Sequence, residues 1–318
     1  MTGKALTSLL GNAAITLVGM GITDHRTQVR DFLRSRRERI TPDQAGLPAY
    51  GGGGRRVKGL RREEVALLAG VSVDYYIRME RGNLSGASES VLAGVATALQ
   101  LDEAEREHLY SLVRTASPGA GRRPRPITST VRPVIRQILD AITEAPAWVR
   151  NARHDVLAMN PLAAALYSPL LTSPAAGARP RRPANAARFI YLDPAAEDFF
   201  VDYDRIAIDA AAMLRLEAGR NPHDDQLIRL VGELSTQSGE FRRNWASQDV
   251  TFHRSGRKRL RHPVVGPLEL DFEALELPSE PYLRLNFYTA APGTTTADGI
   301  KLLASWAATH TAEAAQSV

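Results

Sequence analysis

The stretch "RREEVALLAGVSVDYYIRMERG", residues 61–82, decides how the first third of the chain folds. Val65, Ala66, Leu68 and Ala69 lay an apolar stripe on a short helix over 61–69. Gly70 supplies the left-handed backbone of a tight turn, Ser72 is a good N-cap, and a second helix opens at Val73. Ala66 is small where the two helices must touch, while Tyr76 and Met79, three apart, pack inward from the second helix. An ordinary αα-hairpin uses the same alanine and glycine. The company of Glu80-Arg81-Gly82, further short helices and cations on both flanks favours a helix-turn-helix, whose second helix enters the major groove of DNA.

The frame around it reads as helical. Residues 27–39 place Val29, Phe32 and Leu33 at helical spacing among arginines, Ser88 opens a helix carrying Leu92, Val95, Ala96 and Leu99, and 102–114 gives a fifth. Five short helices with short connections predict a compact all-α domain over 26–116.

Upstream of the motif, "GGGGRRVKG" invites a phosphate-loop reading that the letters reject. Gly54 and Gly59 have P-loop spacing, but Leu60 and Arg61 stand where Lys and Ser/Thr are needed. Gly51 and Gly53 begin a dinucleotide fingerprint whose third glycine is Arg56, and no strand precedes them. Residues 26–81 hold thirteen Arg or Lys against seven Asp or Glu, a local excess above the net +5 of the whole chain. Arg55, Arg56 and Lys58 therefore read as a basic arm gripping the DNA backbone, with a solvated surface loop as the other reading. Arg61, Arg62 and Ser72 sit at helix N-termini, where phosphates meet free N–H groups and the helix dipole. Val73, Asp74, Ile77 and Arg78 lie opposite the packing face of the second helix and are free to meet base edges. Arg78 suits a bidentate contact to guanine, and its alternative is an i,i+4 pair with Asp74.

Composition is that of an ordinary globular protein of about two domains: 318 residues, 44% hydrophobic, 24% charged. Absence of cysteine excludes disulfides, thiolate metal sites and cysteine nucleophiles, and fits a cytoplasmic location. Residues 9–22 resemble a signal-peptide core but are too short to span a bilayer. Residues 1–25 are read as a disordered or artefactual extension, with Met20 as an alternative start.

Residues 117–130, rich in Pro and Arg, read as a linker. Beyond it, over 131–318, strand-like runs at 148–160, 188–193, 249–254, 260–277 and 282–290 alternate with helical stretches. They predict an α+β domain on an antiparallel sheet. His154, His223, His253 and His262 match no metal-ligand spacing, and no G-x-S-x-G elbow or Ser-His-acid set is present, so no metal, cofactor or catalytic residue is assigned. The aromatics concentrate here, as core or as the wall of a small-molecule site. Candidate ligand residues are Trp148, Phe189, Tyr191, Phe241 and Trp245, with Arg188 and Arg242 as anchors for a carboxylate and Asn160 as a helix cap or an amide donor.

Residues 61–82 resemble the helix-turn-helix of XRE-type bacterial repressors. The string from Leu47 to Leu109, together with "APAWVRNARHDVLAMN", "NAARFIYLDP" and "HPVVGPLELDFEAL", resembles the MmyB-like transcription regulators over about residues 26–308. That resemblance implies a PAS-like ligand-binding domain behind the DNA-binding domain, with fatty-acid-like molecules as suspected effectors. The expectation is a non-enzymatic transcription regulator, a repressor, binding a palindromic double-stranded DNA operator as a homodimer with no membrane partner. Alternatives are an enzyme or lipid-carrier domain with an attached nucleic-acid module, or a second domain that only dimerises.

Overall fold

The computed structural model describes residues 25–47, 57, 59–84, 86–116, 130–177 and 182–316. The basic arm (Arg55, Arg56 and Lys58), residues 1–24 and residues 117–129 lie outside that set. The chain forms two compact units that interleave along the sequence. One comprises 1–124 with 215–232 and 243–251, the other 125–214 with 233–242 and 252–318.

In the first unit, α1 (His25–Arg39), α2 (Arg62–Ala69), α3 (Val73–Glu80), α4 (Glu89–Ala98) and α5 (Glu103–Ala116) are the five helices expected from sequence. Val29, Phe32 and Leu33 of α1 are fully buried, as are Val65 and Ala66 of α2 and Val95 and Ala96 of α4. Leu68, expected in the core, stands exposed beside Leu67. Helix α2 is too short to bury more than one narrow face. Gly70 adopts φ 68° and ψ 31° and ends α2, and its neighbour Val71 donates to the Ala66 carbonyl at 3.0 Å. Gly82, at φ 90°, lies so close to α1 that a Cβ there would sit 2.5 Å from the Arg26 Cα.

The second unit carries a five-stranded antiparallel sheet in the order β2-β1-β5-β4-β3. Its strands are β1 (Ala147–Asn151), β2 (Val156–Met159), β3 (Ser255–His262), β4 (Gly266–Leu277) and β5 (Glu280–Thr289). The β1–β2 register shifts between Val149 and Arg150, a bulge of the kind that re-aims a side chain. Before the sheet, α6 (Pro133–Ala141) lays Ile135 and Leu139 against Val149, Leu283 and Leu285. Between β2 and β3 come α7 (Pro161–Leu166), α8 (Ser168–Thr172), α9 (Ala186–Leu192), α10 (Ala195–Phe199), α11 (Tyr203–Arg220), α12 (Asp225–Gln237) and α13 (Gly239–Ala246). The closing helix is α14 (Thr295–Gln316).

Two strand expectations fail. Residues 188–193 belong to α9, capped by the Asn185 side chain, which accepts from the Arg188 N–H at 3.0 Å. Because Ala186 to Tyr191 are all buried, no apolar face stands out against a polar one, and the helical period is hidden. Residues 249–254 form no strand.

The contact between α2 and α4 gives a sign test. A Cβ on Gly94 would sit 2.6 Å from the Ala69 carbonyl oxygen, a backbone atom that cannot swing away. Alanine's helical advantage of about 1 kcal/mol is smaller than typical overpacking costs of ~1–3 kcal/mol. Gly94→Ala is expected to lower the unfolding free energy by about 1–2 kcal/mol in urea titrations. Gly232→Ala, on α12 with open space around the new methyl, is expected to raise it by up to about 1 kcal/mol.

Candidate functional site

The first constellation is built on α3. Ser72 caps the helix by accepting from the Tyr75 N–H at 3.2 Å. Tyr76, Met79 and Glu80 are buried, so Ser72, Val73, Asp74 and Arg78 are left on the open face, with Ile77 half-buried at its edge. Asp74 and Arg78 form no ion pair; the Arg78 guanidinium instead lies 5.3 Å from the centre of the Tyr75 ring. Its charge therefore stays uncompensated on the exposed face.

Glu80 fixes the helix from below. Its Oε1 accepts from Arg37 Nη2 of α1 at 2.8 Å and its Oε2 from Arg62 Nε of α2 at 2.7 Å. Arg37 also donates from Nη1 to the Leu60 carbonyl at 2.9 Å. Arg62, half-exposed at the first turn of α2, is thus held through one nitrogen with its outer edge in solvent. The Arg61 N–H donates to Glu64 Oε2 at 2.6 Å, and the Arg61 residue is exposed.

A second constellation lies in the second unit, a cleft with a cavity volume of ≈ 50 Å³, open at its mouth. One wall is apolar: Leu170, Ala186, Ile190 and Phe200, with Ile206, Ala210 and Met213 from α11. Trp148, Tyr167 and Tyr288 also line the cleft, and the Tyr167 hydroxyl donates to that of Tyr288 at 2.7 Å. The polar lining is Arg150, His154, Asp209, His253, Lys258 and Asn286. Arg150 is buried, and the one polar contact of its guanidinium is the Met213 thioether at 3.4 Å. Burial, followed by the nearby Arg284, lowers its pKa to about 10. Lys258 Nζ, also buried, sits 5.3–5.9 Å from the ring centres of Phe272, Tyr288 and Phe200 and makes no ion pair.

His154 occupies the turn between β1 and β2 at φ 67°, left-handed backbone that is uncommon outside glycine. Asn151 imposes it by accepting from the N–H groups of Arg153 and Asp155, both at 3.0 Å. The His154 ring is buried and its Nε2 has no partner. His253 stacks on Phe272 at 4.3 Å and faces Asp209 at 3.6 Å. Burial lowers the pKa of His253 to about 4 and that of His154 well below the ordinary value.

Of the ligand residues expected from sequence, Trp148 lines this cleft. Asn160 is buried and caps α7, accepting from the Ala163 N–H at 2.8 Å while donating to the carbonyls of Ile142 and Ala145. Arg188 clamps Glu233 through Nε and Nη2, at 3.0 and 2.7 Å. Arg242 donates to the Ser235 carbonyl at 2.7 Å. Phe189 and Phe241 are fully buried, the latter edge-on to Tyr191 at 5.0 Å. Trp245, in the first unit, carries the Arg215 guanidinium over its ring at 4.1 Å. Arg150, Tyr167 and Lys258 escaped the sequence reading, and His154 was weighed there only as a metal ligand. For Lys258 a signal existed: in "SGRKRLRH" it shares the phase of Leu260 and His262, the buried face of β3. Among the described residues no group of three or more His, Cys, Asp or Glu is arranged to hold a metal ion, and no helix is long and apolar enough to cross a membrane.

Residues 131–303 match the MmyB-like transcription regulator ligand binding domain, more than half of the chain. The chain belongs to the MmyB-like transcription regulators. Residues 28–109 match a helix-turn-helix domain, which contains α3 and the Glu80 clamp. No curated protein matches the sequence. A chain with these two domains is a ligand-responsive transcription regulator.

The buried imidazoles set a pH dependence. In the unfolded chain His154, His253 and His108 protonate near pH ~6.5, whereas in the fold burial holds His253 to about 4 and His108 to about 3. Below pH ~6.5 the unfolded state binds more protons, so stability is fully present above that value and falls as pH drops, by about 1.4 kcal/mol per unit for each histidine. The urea midpoint is expected to fall steadily from pH ~6.5 to pH ~5. His253→Gln should shallow that slope, and an unchanged slope would show that the imidazole is not held neutral.

Proposed function

We propose that the chain is a cytoplasmic repressor that binds a palindromic operator as a homodimer and is released or retained by a fatty-acid-like effector. The observation that carries the DNA half is the face of α3. Glu80, Tyr76 and Met79 pin one side, so Val73, Asp74, Ile77 and Arg78 are offered to base edges from the other. Arg61, Arg62 and Ser72 clamp flanking phosphates, and Arg55, Arg56 and Lys58 grip the backbone beside them. Residues 26–116 form the DNA-binding domain and 131–318 the effector domain in this reading, joined through the linker at 117–130. The effector half rests on the apolar wall of the cleft, which suits a hydrocarbon chain, and the cleft serves sensing rather than turnover. Helix α11 has residues in both units. Its first half supplies Ile206, Ala210 and Met213 to the cleft, and its last residues, from Arg215, belong to the first compact unit. An effector acts only through different affinities for two arrangements of that helix.

Selection of DNA from a random pool by the full chain is expected to enrich inverted half-sites about one helical turn apart. Arg78→Ala should lose about 1–3 kcal/mol of discrimination at one base pair per half-site. Arg62→Ala should weaken all sequences alike and reduce the salt slope by about one. Enrichment of no sequence, or an Arg78→Ala variant as selective as the parent, would defeat base reading by α3.

A further inference from the structure

On the open face of α3 the Arg78 guanidinium rests on a neighbour. Its carbon lies 5.3 Å from the centre of the Tyr75 ring, within cation–π range, and Tyr75 stands one helical turn earlier on the same side. Asp74 has the i,i+4 spacing of an ion pair with Arg78 and does not form one. The two arrangements differ in what they leave free. A carboxylate engages a guanidinium through its in-plane N–H groups, the same edge that the O6 and N7 of guanine require. An aromatic ring takes the flat face instead and leaves that edge unoccupied. Tyr75 is itself held in place: its N–H donates to the Ser72 hydroxyl at 3.2 Å, so the helix cap fixes its backbone, and the residue is half-buried. An unrestrained arginine gives up rotamer freedom when it meets a base. One already laid on a fixed ring gives up less.

We propose that Tyr75 is a positioning residue for base reading, whose ring holds the Arg78 guanidinium by its face so that the donor edge meets the O6 and N7 of one guanine in each half-site. This rests on the reading of α3 as the base-contacting helix and adds to it the base that Arg78 selects and the residue that steadies it there. Positioning of this kind sharpens discrimination more than affinity. A guanidinium free to swing finds a phosphate oxygen or another base edge at little loss, whereas one held by its face offers its fork along one direction. The fork is essential to that selection. An ammonium in its place keeps the charge and the contact with the ring, but as a point charge it lacks the paired donors that match guanine.

The test uses the full chain and the duplex that it enriches most from a random pool. Discrimination at a base pair is the ratio of Kd for a duplex changed at that pair to Kd for the selected one, a ratio from which the folded fraction of the protein cancels. Arg78→Ala locates the pair, expected to be G·C, as the position at which this variant loses its discrimination. Replacing that guanine by 7-deazaguanine, which lacks the N7 acceptor, should weaken the parent and leave Arg78→Ala unaffected. Arg78→Lys should lose discrimination there as Arg78→Ala does. In Tyr75→Leu the ratio is expected to fall about two- to fivefold at the Arg78 pair alone, the share of an exposed cation–π contact. Tyr75→Phe, which keeps the ring, should match the parent, and so should Asp74→Ala at that pair. In the Arg78→Ala background Tyr75→Leu should change nothing further there. Should Tyr75→Leu fail to fold, Tyr75→Met makes the same test. The inference is overturned by a Tyr75→Leu variant as selective as the parent, by an equal loss at every base pair, or by a loss in Tyr75→Phe as large as that in Tyr75→Leu. A loss in Asp74→Ala at the Arg78 pair, or a pair other than G·C, overturns it as well. If Arg78→Ala loses discrimination and Tyr75→Leu does not, base reading by α3 stands and the positioning role falls. If no duplex is enriched, or Arg78→Ala is as selective as the parent, the reading of α3 falls and takes the positioning role with it.

Discussion

The carboxylate of Glu80 ties three helices of the DNA-binding domain at one point, and the face that α3 offers depends on it. Arg37 reaches it from α1 and Arg62 from α2, with the carboxylate itself buried at the end of α3. Such a pair adds little net stability over a well-packed apolar substitute, because desolvating three charges offsets most of their attraction. What it adds is geometry. Apolar contacts at Tyr76 and Met79 tolerate a small rotation of α3, whereas a rotation that strips one guanidinium from Glu80 leaves a buried charge bare, at a cost of about 3–5 kcal/mol. The angular position of Arg78 and Asp74 on the outer face is therefore set from inside. Arg62 joins that interior clamp to a half-exposed outer edge at the start of α2, where a phosphate is favoured by the helix dipole.

The two units were legible in the sequence to different depths, for reasons visible in particular residues. In the first, each helix is short, has one apolar face and is bounded by Gly70, Ser72, Gly82 or Ser88, so period and punctuation agree and the boundaries fall within two residues of those expected. In the second, α9 is buried over almost its whole length and hid its period behind a strand-like composition. The run 260–277, which holds the end of β3 and all of β4, was readable because one face alternates with solvent. Strand β1 is buried at all five positions, so alternation said nothing about where Arg150 points. His154 owes its placement to a left-handed turn made by Asn151, which no residue pattern announces. Arginines 188 and 242 suited a carboxylate by chemical type, but the partner of Arg188 lies forty-five residues away at Glu233, a pairing that only the fold creates. Nor does composition reveal that residues 215–232 and 243–251 belong to the same compact unit as the N-terminal helices.

Compensation of charge separates the structural cations of this molecule from the ones at its cleft. Arg36 meets Glu105 at 2.7 Å, Arg37 meets Glu80 and Arg188 meets Glu233, whereas Arg215, also buried, has the Trp245 ring and neutral acceptors. Each satisfied pair locks a packing geometry, and each is destabilising to break. Arg150 and Lys258 obey the opposite logic: the fold carries them at a loss, in a wall otherwise suited to hydrocarbon, beside a histidine held in strained backbone. Selection for stability alone would replace both with Met or Leu, since apolar residues of similar volume would fill the same space without desolvated charge. Apolar concavities are common by-products of packing, but two uncompensated charges buried in one are not.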